Sequence, residues 1–321
     1  MRIIKDDPIL ELKGVTVNYR RPDRRFITAV SEVDLILNKG EILGLVGESG
    51  CGKSTLGKAA VGILPIAGGE IAFESQKVEA LTKKSRPLHL RKLQLIFQDP
   101  YSSLNPRRKI GDQLADGLLN SGFKEEEARE KSALLLERVG LSRSALTRFT
   151  HQFSGGQRQR IAIARALSLE PHVIIADEPI SALDASAQAQ VANLLVELVE
   201  EFGMSMIFIS HDLSVVRQIS DRTAVMYLGK IVEIAQTSDL WSNPQHPYTR
   251  ALISAIPKPD GKGFLPLELP GDVPDPRRPP SGCRFHPRCP VAIPQCSVQE
   301  PKLISKNNRS SSCLLINELK A

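Results

Sequence analysis

Residues 47–55 carry the clearest chemical pattern in the chain. They read Gly-Glu-Ser-Gly-Cys-Gly-Lys-Ser-Thr and match G-x-x-x-x-G-K-[ST] without a mismatch. Glycines allow successive backbone N–H groups to approach the oxygens of a polyphosphate. Lys53 would reach the β- and γ-phosphates, and the Ser54 hydroxyl would ligate magnesium. The candidate nucleotide-binding residues of this phosphate loop are Gly47, Glu48, Ser49, Gly50, Cys51, Gly52, Lys53, Ser54 and Thr55.

The residues on either side of this loop predict the structure that such a loop needs. Residues 42–46 are apolar and indicate a buried strand, and residues 56–61 can form a helix. The positive end of that helix would add to the attraction for phosphate. A glycine-rich turn that binds nothing is the alternative, and the downstream motifs argue against it.

Four polar residues follow short apolar segments that predict buried strands: Gln98, Asp177, Glu178 and His211. Ligands bind in the crevice outside the carboxyl ends of such strands. Asp177 could bind the magnesium directly or through water, and Glu178 could orient or deprotonate an attacking water. Because adjacent strand residues point to opposite faces, the two carboxylates need not share a role. His211 is either a further site residue or a structural histidine.

A second glycine-containing helix start lies at residues 153–157, which read Phe-Ser-Gly-Gly-Gln. Ser154 is a favoured N-cap residue, and residues 158–167 are strong helix formers. The serine hydroxyl and the glycine backbone could face an anion. No lysine follows, so this is not a second phosphate loop, and a capped helix without a ligand is the alternative. Ser-Ala-Leu-Asp follows at 181–184, before a helix predicted over 186–202.

The remaining elements predict a mixed α/β chain. Apolar and polar residues alternate from Leu10 to Tyr19, which indicates a half-exposed strand, and residues 27–37 and 68–73 indicate further strands. Tyr19 either stacks on a purine base or is an ordinary strand aromatic. Residues 110–141 predict a mostly helical inserted block. Its predicted apolar side comprises Leu134, Leu135, Leu136 and Val139.

The composition is that of an ordinary globular protein. The 321 residues are 41% hydrophobic and 24% charged, enough for one large domain or two unequal ones. The formal net charge is +6, and without an aromatic-rich basic stripe a solvated face is favoured over a nucleic-acid groove. Neither a bilayer-spanning apolar run nor a signal peptide is evident, so we expect a cytoplasmic protein that reaches membranes through a partner. The basic residues near the start are Arg20, Arg21, Arg24 and Arg25.

The composition changes near residue 257. Prolines and glycines crowd residues 257–290, and helical periodicity ends. The spacings C-x5-C, C-x6-C and C-x16-C lack the paired C-x2-C of common zinc folds. Without an export signal we expect no disulfides, so the four thiols could hold a [4Fe–4S] cluster, hold zinc or stay reduced. These cysteines are Cys283, Cys289, Cys296 and Cys313.

Taken together, the motifs resemble those of the ATP-binding subunit of ABC transporters. The resemblance covers roughly residues 8–255. Residues 98–106 and 243–249 resemble the corresponding segments of the peptide-importer branch, and Phe153 departs from the pattern because leucine is commoner there. The motifs that carry the resemblance are the phosphate loop, Gln98, residues 153–157, Asp177-Glu178, Ser181-Ala182-Leu183-Asp184 and His211.

The resemblance implies an α/β fold with a P-loop NTPase core of the ABC ATPase type. An antiparallel β subdomain, an inserted helical subdomain at about 99–160 and a cysteine-containing C-terminal extension would complete it. The nucleotide-binding domain would span residues 1–255 and the extension residues 256–321.

The resemblance also implies roles for the site residues. Two subunits would pack head to tail, with each ATP between the phosphate loop of one and the serine–glycine motif of the other. Glu178 would be the catalytic carboxylate and His211 a switch residue near the γ-phosphate, with Lys53 on the phosphates and Tyr19 on adenine. Ser54, Gln98 and Asp177 would hold magnesium, and Gln98 would also be the link to the attacking water and to the membrane subunits. The motif that completes the partner's site would comprise Ser154, Gly155, Gly156 and Gln157, with Asp184 reporting across the interface.

The implied activity is ATP hydrolysis that powers import of di- or oligopeptides. The implied partners are a second ABC ATPase subunit, often a different chain, two transmembrane permease subunits and, indirectly, a substrate-binding protein. The subunit itself would lie at the cytoplasmic face of the inner membrane, as a peripheral protein. Nickel and glutathione importers use the same type of subunit, and some soluble ABC ATPases do not transport; both remain alternatives. The tail resembles an extension that holds a [4Fe–4S] cluster in some members, which implies that the four cysteines hold one.

Overall fold

The computed structural model describes residues 6–20, 26–82, 86–256, 271–306 and 308–315. Arg21, Arg24 and Arg25 of the basic cluster lie outside the described residues, as does the 257–270 part of the proline- and glycine-rich stretch. The chain divides into two compact units. Some of the sequence motifs lie in one unit and the remaining motifs lie in the other.

The first unit, called here the signature unit, comprises Met1–Leu10, Leu37–Glu41 and Leu81–Ile209. Its three central strands are parallel, so their carboxyl ends lie at one edge. Two of them are buried along their whole length, which explains their continuous apolar sequence. In sheet order these strands are Leu93–Ile96, Val173–Asp177 and Ser205–Ile209. The helices are Ile110–Asn120, Glu125–Arg138, Gly155–Leu167 and Ala185–Phe202, with 3₁₀ turns at His89–Lys92, Pro100–Ser102, Arg143–Thr147 and Thr150–Gln152.

The predicted helical block is confirmed as two helices, Ile110–Asn120 and Glu125–Arg138. Its predicted apolar side is only partly correct. Leu136 and Val139 are fully buried, whereas the Leu134 side chain is 46% exposed. Consecutive helical residues are about 100° apart around the axis, so residues 134, 135 and 136 cannot share one face.

The second unit, called here the phosphate-loop unit, comprises Glu11–Ile36, Ile42–Ala80 and Ser210–Ala321. One of its sheets runs in the order Ile304–Lys306, Arg309–Ser311, Lys230–Gln236, Arg222–Tyr227, Ile42–Val46. The last two strands are parallel and the other pairs are antiparallel. A four-stranded sheet runs in the order Phe26–Asn38, Pro8–Arg20, Gly68–Phe73, Gln76–Lys77. The helices are Lys53–Ala60, Leu213–Ile219, Thr237–Ser242 and Pro247–Ser254, with 3₁₀ turns at His286–Arg288 and Pro294–Ser297.

The cysteine-containing tail has regular structure that its sequence did not predict. Strand Arg309–Ser311 pairs antiparallel with strand Lys230–Gln236, with Ser311 opposite Glu233. Strands of three residues are too short to show an alternating pattern, which is why the sequence analysis missed them. The tail therefore extends a sheet whose other strands precede residue 256.

Candidate functional site

The phosphate loop joins strand Ile42–Val46 to helix Lys53–Ala60. The Lys53 ammonium donates hydrogen bonds to the carbonyl oxygens of Gly47 at 2.8 Å and Glu48 at 3.0 Å. Lys53 is only 4% exposed, so these bonds satisfy a charge that is largely removed from water. The loop thus curls around its own lysine, with the N-terminus of the helix facing the same turn.

Gly52 immediately precedes the helix with φ 110°, a conformation that disfavours any side chain. A methyl group at this position would overlap the carbonyl oxygen of Ala29. Gly50 also has positive φ, 76°, yet a methyl group there would meet no atom within 4 Å. The loop pattern needs glycine at 52 for close packing as well as for backbone conformation.

We therefore expect Gly52→Ala to lower the free energy of unfolding by about 1–3 kcal/mol through backbone strain, and by more where the overlap is not relieved. Gly50→Ala is the matched control, because it carries the strain without the overlap. Denaturant unfolding of both variants checks this. Equal decreases in the free energy of unfolding of the two variants would show that the overlap with the Ala29 carbonyl does not contribute to the cost of Gly52→Ala.

Tyr19 and Thr55 lie together in this unit. The Tyr19 hydroxyl is 3.1 Å from the Thr55 Oγ1, and the tyrosine is 41% exposed. The exposed ring lies beside the phosphate-loop helix, and its stacking on a purine base stays a prediction. Cys51 has a different character: its side chain is buried, and burial raises the pKa of the thiol. Cys51 therefore packs as a neutral residue.

Gln98 and Glu178 meet in the signature unit. The Gln98 Nε2 donates to the Glu178 Oε2 at 3.1 Å. Strand Val173–Asp177 ends one residue before Glu178, which has φ 46° and whose N–H donates to the Ile209 carbonyl at 3.0 Å. The prediction that strand alternation separates the roles of Asp177 and Glu178 is therefore wrong, because Glu178 is not part of the strand. Glu178 follows the strand and itself adopts a left-handed backbone conformation. This conformation, and not the alternation of a strand, sets the direction of its side chain. A non-glycine residue held in this region is a strained position of the kind found at active sites.

Asp177 and Glu178 also differ in environment. Asp177 is 2% exposed, whereas Glu178 is half-buried. The carboxylate of Asp177, the amide of Gln98 and the hydroxyl of Ser54 are hard oxygen donors of the kind that magnesium prefers. Each of these donors, two in the signature unit and one in the phosphate-loop unit, suits magnesium in its chemistry.

Ser154 begins helix Gly155–Leu167 through a capping box. The Gln157 N–H donates to the Ser154 Oγ at 3.3 Å, and the Ser154 N–H donates to the Gln157 Oε1 at 3.1 Å. Ser154 and Gly155 are nevertheless exposed, so the helix N-terminus remains accessible. Asp184 is the N-cap of helix Ala185–Phe202 and accepts from the Ala187 N–H at 2.9 Å. Asp184 therefore has a structural role within its own unit.

His211 follows strand Ser205–Ile209 and is exposed. It lies in the phosphate-loop unit, whereas Gln98, Glu178 and residues 154–157 lie in the signature unit. Its role beside the γ-phosphate stays a prediction.

The four tail cysteines are free thiols that lie near one another. Burial raises the pKa of Cys283 to about 11, and the other three thiols add to that rise. Burial also raises the pKa of Cys289 and that of Cys313, and Cys296 adds to both. Across the described ranges, no group of three or more His, Cys, Asp or Glu side chains is arranged to hold a metal ion. The expectation of a [4Fe–4S] cluster on Cys283, Cys289, Cys296 and Cys313 is therefore not supported.

Two residues near the phosphate loop were missed from the sequence. Tyr248 is fully buried, and its hydroxyl accepts from the Glu48 N–H at 2.9 Å. Arg288, from the cysteine-containing tail, forms an ion pair with the Glu48 carboxylate at 2.8 Å. Both lie about 200 residues or more from Glu48 in the chain, so no local sequence pattern indicates that they contact it.

His246 anchors the helix that carries Tyr248. Its Nδ1 accepts from the Tyr248 N–H at 3.0 Å, and complete burial lowers the pKa of the imidazole to about 3. An unfolded chain binds a proton at His246 below about pH 6.5 that the folded chain does not bind until about pH 3. Stability is therefore present above pH 6.5 and is lost as the pH falls through this window.

We expect this residue to add a slope of up to about 1.4 kcal/mol per pH unit to the free energy of unfolding between pH 6.5 and 3. His246→Asn keeps a cap acceptor and removes the titration. Denaturant unfolding at pH 7.5, 6 and 5 measures the free energy of unfolding. Its decrease from pH 7.5 to pH 5 should be smaller in the variant than in the unmodified chain. Identical slopes would contradict this assignment.

Two family models match the chain. The model described as "ABC transporter" matches residues 30–181. The model described as "Oligopeptide/dipeptide transporter, C-terminal region" matches residues 232–296.

Among curated proteins, the oligopeptide transport ATP-binding protein OppF of Escherichia coli K12 is 47% identical over 324 residues, covering 97% of each chain. The oligopeptide transport ATP-binding protein AppF of Bacillus subtilis 168 is 47% identical over 313 residues, covering 94% of this chain and 95% of its own.

The solved structures show the same fold. A dimeric bacterial ABC transporter cassette, MJ0796, matches with TM-score 0.65 and 28% identity over 71% of this chain and 98% of its own. The same cassette in a dimeric post-hydrolysis state with ADP and Pi matches with TM-score 0.63 and 28% identity, with the same coverage. CbiO1 of Clostridium perfringens matches with TM-score 0.64 and 30% identity over 74% of this chain and 92% of its own.

Proposed function

Because the chain belongs to the ATP-binding subunits of ABC transporters, in the oligopeptide and dipeptide branch, we propose that it powers peptide import by hydrolysing ATP. The fold is the P-loop NTPase core of the ABC cassette type. The activity is that of an ATPase that acts with membrane permease components and dimerises with a second cassette.

The observation that carries the proposal is the hydrogen bond from the Gln98 amide to the Glu178 carboxylate. The contact fixes a carboxylate whose backbone is already held in a strained conformation. A carboxylate fixed in this way can orient a water for in-line attack on the γ-phosphorus and accept its proton as ADP leaves. Gln98 uses its amide nitrogen for this contact, so its amide oxygen remains as a donor for the metal.

The phosphate loop supplies the charge that this reaction needs. Lys53 already forms charge-assisted hydrogen bonds to two loop carbonyls and would exchange them for β- and γ-phosphate oxygens. Bound magnesium would neutralise the charge that develops on those oxygens, and Ser54, Asp177 and Gln98 would hold it. Tyr19 would stack on the adenine.

We place the exposed serine–glycine helix start against the nucleotide of a partner subunit. Ser154, Gly155, Gly156 and Gln157 offer backbone N–H groups and a helix dipole but no lysine, so they complete a site rather than make one. ATP that contacts both subunits only in the closed dimer favours closure by that difference in affinity. Hydrolysis removes those contacts and reopens the dimer. The partner is proposed to be a different ATPase chain, with Asp184 reporting across the interface and His211 acting as a switch residue near the γ-phosphate.

The subunit is proposed to lie at the cytoplasmic face of the inner membrane, bound to two permease subunits. Within the part of the chain that the structure describes, every helix is too short or too polar to cross a bilayer. The helical block around Ile110–Asn120 and Glu125–Arg138 begins soon after Gln98, so it can pass movement at the site to the permease.

The test is ATP turnover in the intact membrane complex with its substrate-binding protein. Di- and oligopeptides should stimulate turnover, whereas nickel and glutathione should not. If only nickel or only glutathione stimulates turnover, that compound and not a peptide is the cargo. Full activity that is indifferent to every cargo, in a chain that does not fractionate with membranes, would favour a soluble ABC ATPase and contradict the proposal.

A [4Fe–4S] cluster is a separate proposal that rests only on the proximity of the four thiols. The described geometry does not favour it, and no step of ATP hydrolysis needs electrons. Anaerobic purification with iron and sulfide analysis decides it. Four irons per chain that are lost in Cys289→Ser would support the cluster. One zinc or no metal would rule it out.

A further inference from the structure

Arg288 is a charged residue of the tail that lies beside the phosphate loop. Its Nη1 and Nη2 donate to the two carboxylate oxygens of Glu48 at 2.8 and 3.1 Å. The side chains are 4% and 18% exposed, so the pair is largely removed from water. Two parallel hydrogen bonds from a planar guanidinium fix the direction of the carboxylate as well as its distance.

Glu48 is held at three points. Arg288 binds its carboxylate, the Tyr248 hydroxyl accepts from its N–H at 2.9 Å, and its carbonyl oxygen accepts from Lys53 at 3.0 Å. The second residue of the loop is thus attached to the lysine that would bind phosphate. Any displacement of Glu48 therefore changes the surroundings of the Lys53 ammonium.

The groups that hold Glu48 are themselves packed. The Tyr248 ring lies 4.5 Å from that of Tyr227 and 5.3 Å from that of Phe285, between ring centroids. Phe285 precedes the 3₁₀ turn His286–Arg288, in which the Arg288 N–H donates to the Phe285 carbonyl at 3.0 Å. Phe285 is 1% exposed, so this aromatic cluster seats the turn that presents Arg288.

We propose that Arg288 is a positioning residue for ATP hydrolysis, which fixes Glu48 and through it the phosphate loop in the geometry that receives nucleotide. The inference rests on the proposed function. It gives the C-terminal tail a role in nucleotide binding that the phosphate-loop pattern does not contain. Burial opposes a charge on Arg288, but the hydrogen bonds to Glu48 outweigh it and raise the pKa of the guanidinium. The Arg288 guanidinium is therefore charged at every working pH.

The experiment compares Arg288→Gln, Arg288→Lys, Glu48→Gln and the Arg288→Gln/Glu48→Gln double variant in the intact complex. Arg284→Gln is the matched control, because Arg284 is in the same segment but donates to the Leu228 carbonyl and pairs with Glu300. Two readouts are used: KM and kcat for ATP, and the alkylation rate of Cys51, located by peptide mapping without nucleotide. Cys51 is 4% exposed inside the loop, so its reactivity reports loop order.

We expect Arg288→Gln to raise the KM for ATP by roughly tenfold, with a smaller change in kcat, because a displaced loop loses preorganised phosphate contacts. Cys51 alkylation should be faster in Arg288→Gln than in the unmodified chain. The KM of Arg288→Lys should lie between that of Arg288→Gln and the unmodified value, because lysine keeps the charge but lacks the two parallel N–H donors of the guanidinium. The double variant should be no worse than the worse single variant, since the two residues act as a unit. If Arg288→Gln does not fold, Glu48→Gln and Arg288→Lys carry the same comparison.

The inference is overturned if Arg288→Gln and Arg284→Gln lower thermal stability alike while KM and Cys51 alkylation stay at their unmodified values. Additive effects of Arg288→Gln and Glu48→Gln would overturn it too. If the unmodified complex does not hydrolyse ATP, the proposed function fails. The Cys51 readout would then still decide whether Arg288 orders the loop.

Discussion

Glu178→Gln should lower ATP turnover by at least about a hundredfold while ATP affinity stays near that of the unmodified chain. The amide has nearly the shape of the carboxylate but cannot accept the proton of the attacking water. It keeps a partner for Gln98, so the local contact at 3.1 Å can persist. Steady-state turnover and equilibrium nucleotide binding, measured on the same preparation, check both parts.

Glu170→Gln is a suitable control for this variant. Glu170 belongs to the same unit and also has positive φ, 49°, but it pairs with Lys92 and Lys131 at the surface. Its substitution should leave turnover within about twofold, because surface ion pairs contribute little. Turnover of Glu178→Gln within tenfold of the unmodified chain would remove Glu178 from the role of base.

Lys53→Ala should lower kcat/KM for ATP by about a thousandfold, mostly through lost nucleotide binding. The substitution removes the only ammonium placed in the loop by the described contacts, and it leaves the Gly47 and Glu48 carbonyl oxygens without their donor. Lys58→Ala is the control on the same helix, since Lys58 is half-buried outside the loop. A fluorescent nucleotide titration and turnover assay measure the effect. Unchanged nucleotide affinity in Lys53→Ala would contradict the phosphate-loop assignment.

The parts of the site that depend on local sequence were predictable. The phosphate loop, the Ser154 cap and the strand that ends at Asp177 each depend on residues within a few positions of one another. Glycine conformation, capping and apolar runs are local physics. The family resemblance added the roles that local physics does not assign, and the fold class and peptide-import function drawn from it agree with the relatives.

The parts that depend on distant residues were not predictable. Arg288 and Glu48 are 240 residues apart, and nothing in either segment points to the other. The strand Arg309–Ser311 pairs with its neighbour in sequence, Ile304–Lys306, and also with the distant strand Lys230–Gln236. The predicted apolar side of the helical block was wrong at Leu134 because a run of leucines was read without helical period. The assignment of individual site residues and of domain boundaries stays a prediction.

The central claim is that the chain supplies half of each of two composite ATP sites. Sedimentation of Glu178→Gln with saturating MgATP, alone and with its natural partner ATPase, tests it most directly. The account predicts a nucleotide-dependent dimer in at least one of these mixtures, which disappears when Lys53→Ala is added to the same chain. A Glu178→Gln chain that binds ATP yet stays monomeric in both mixtures would contradict it.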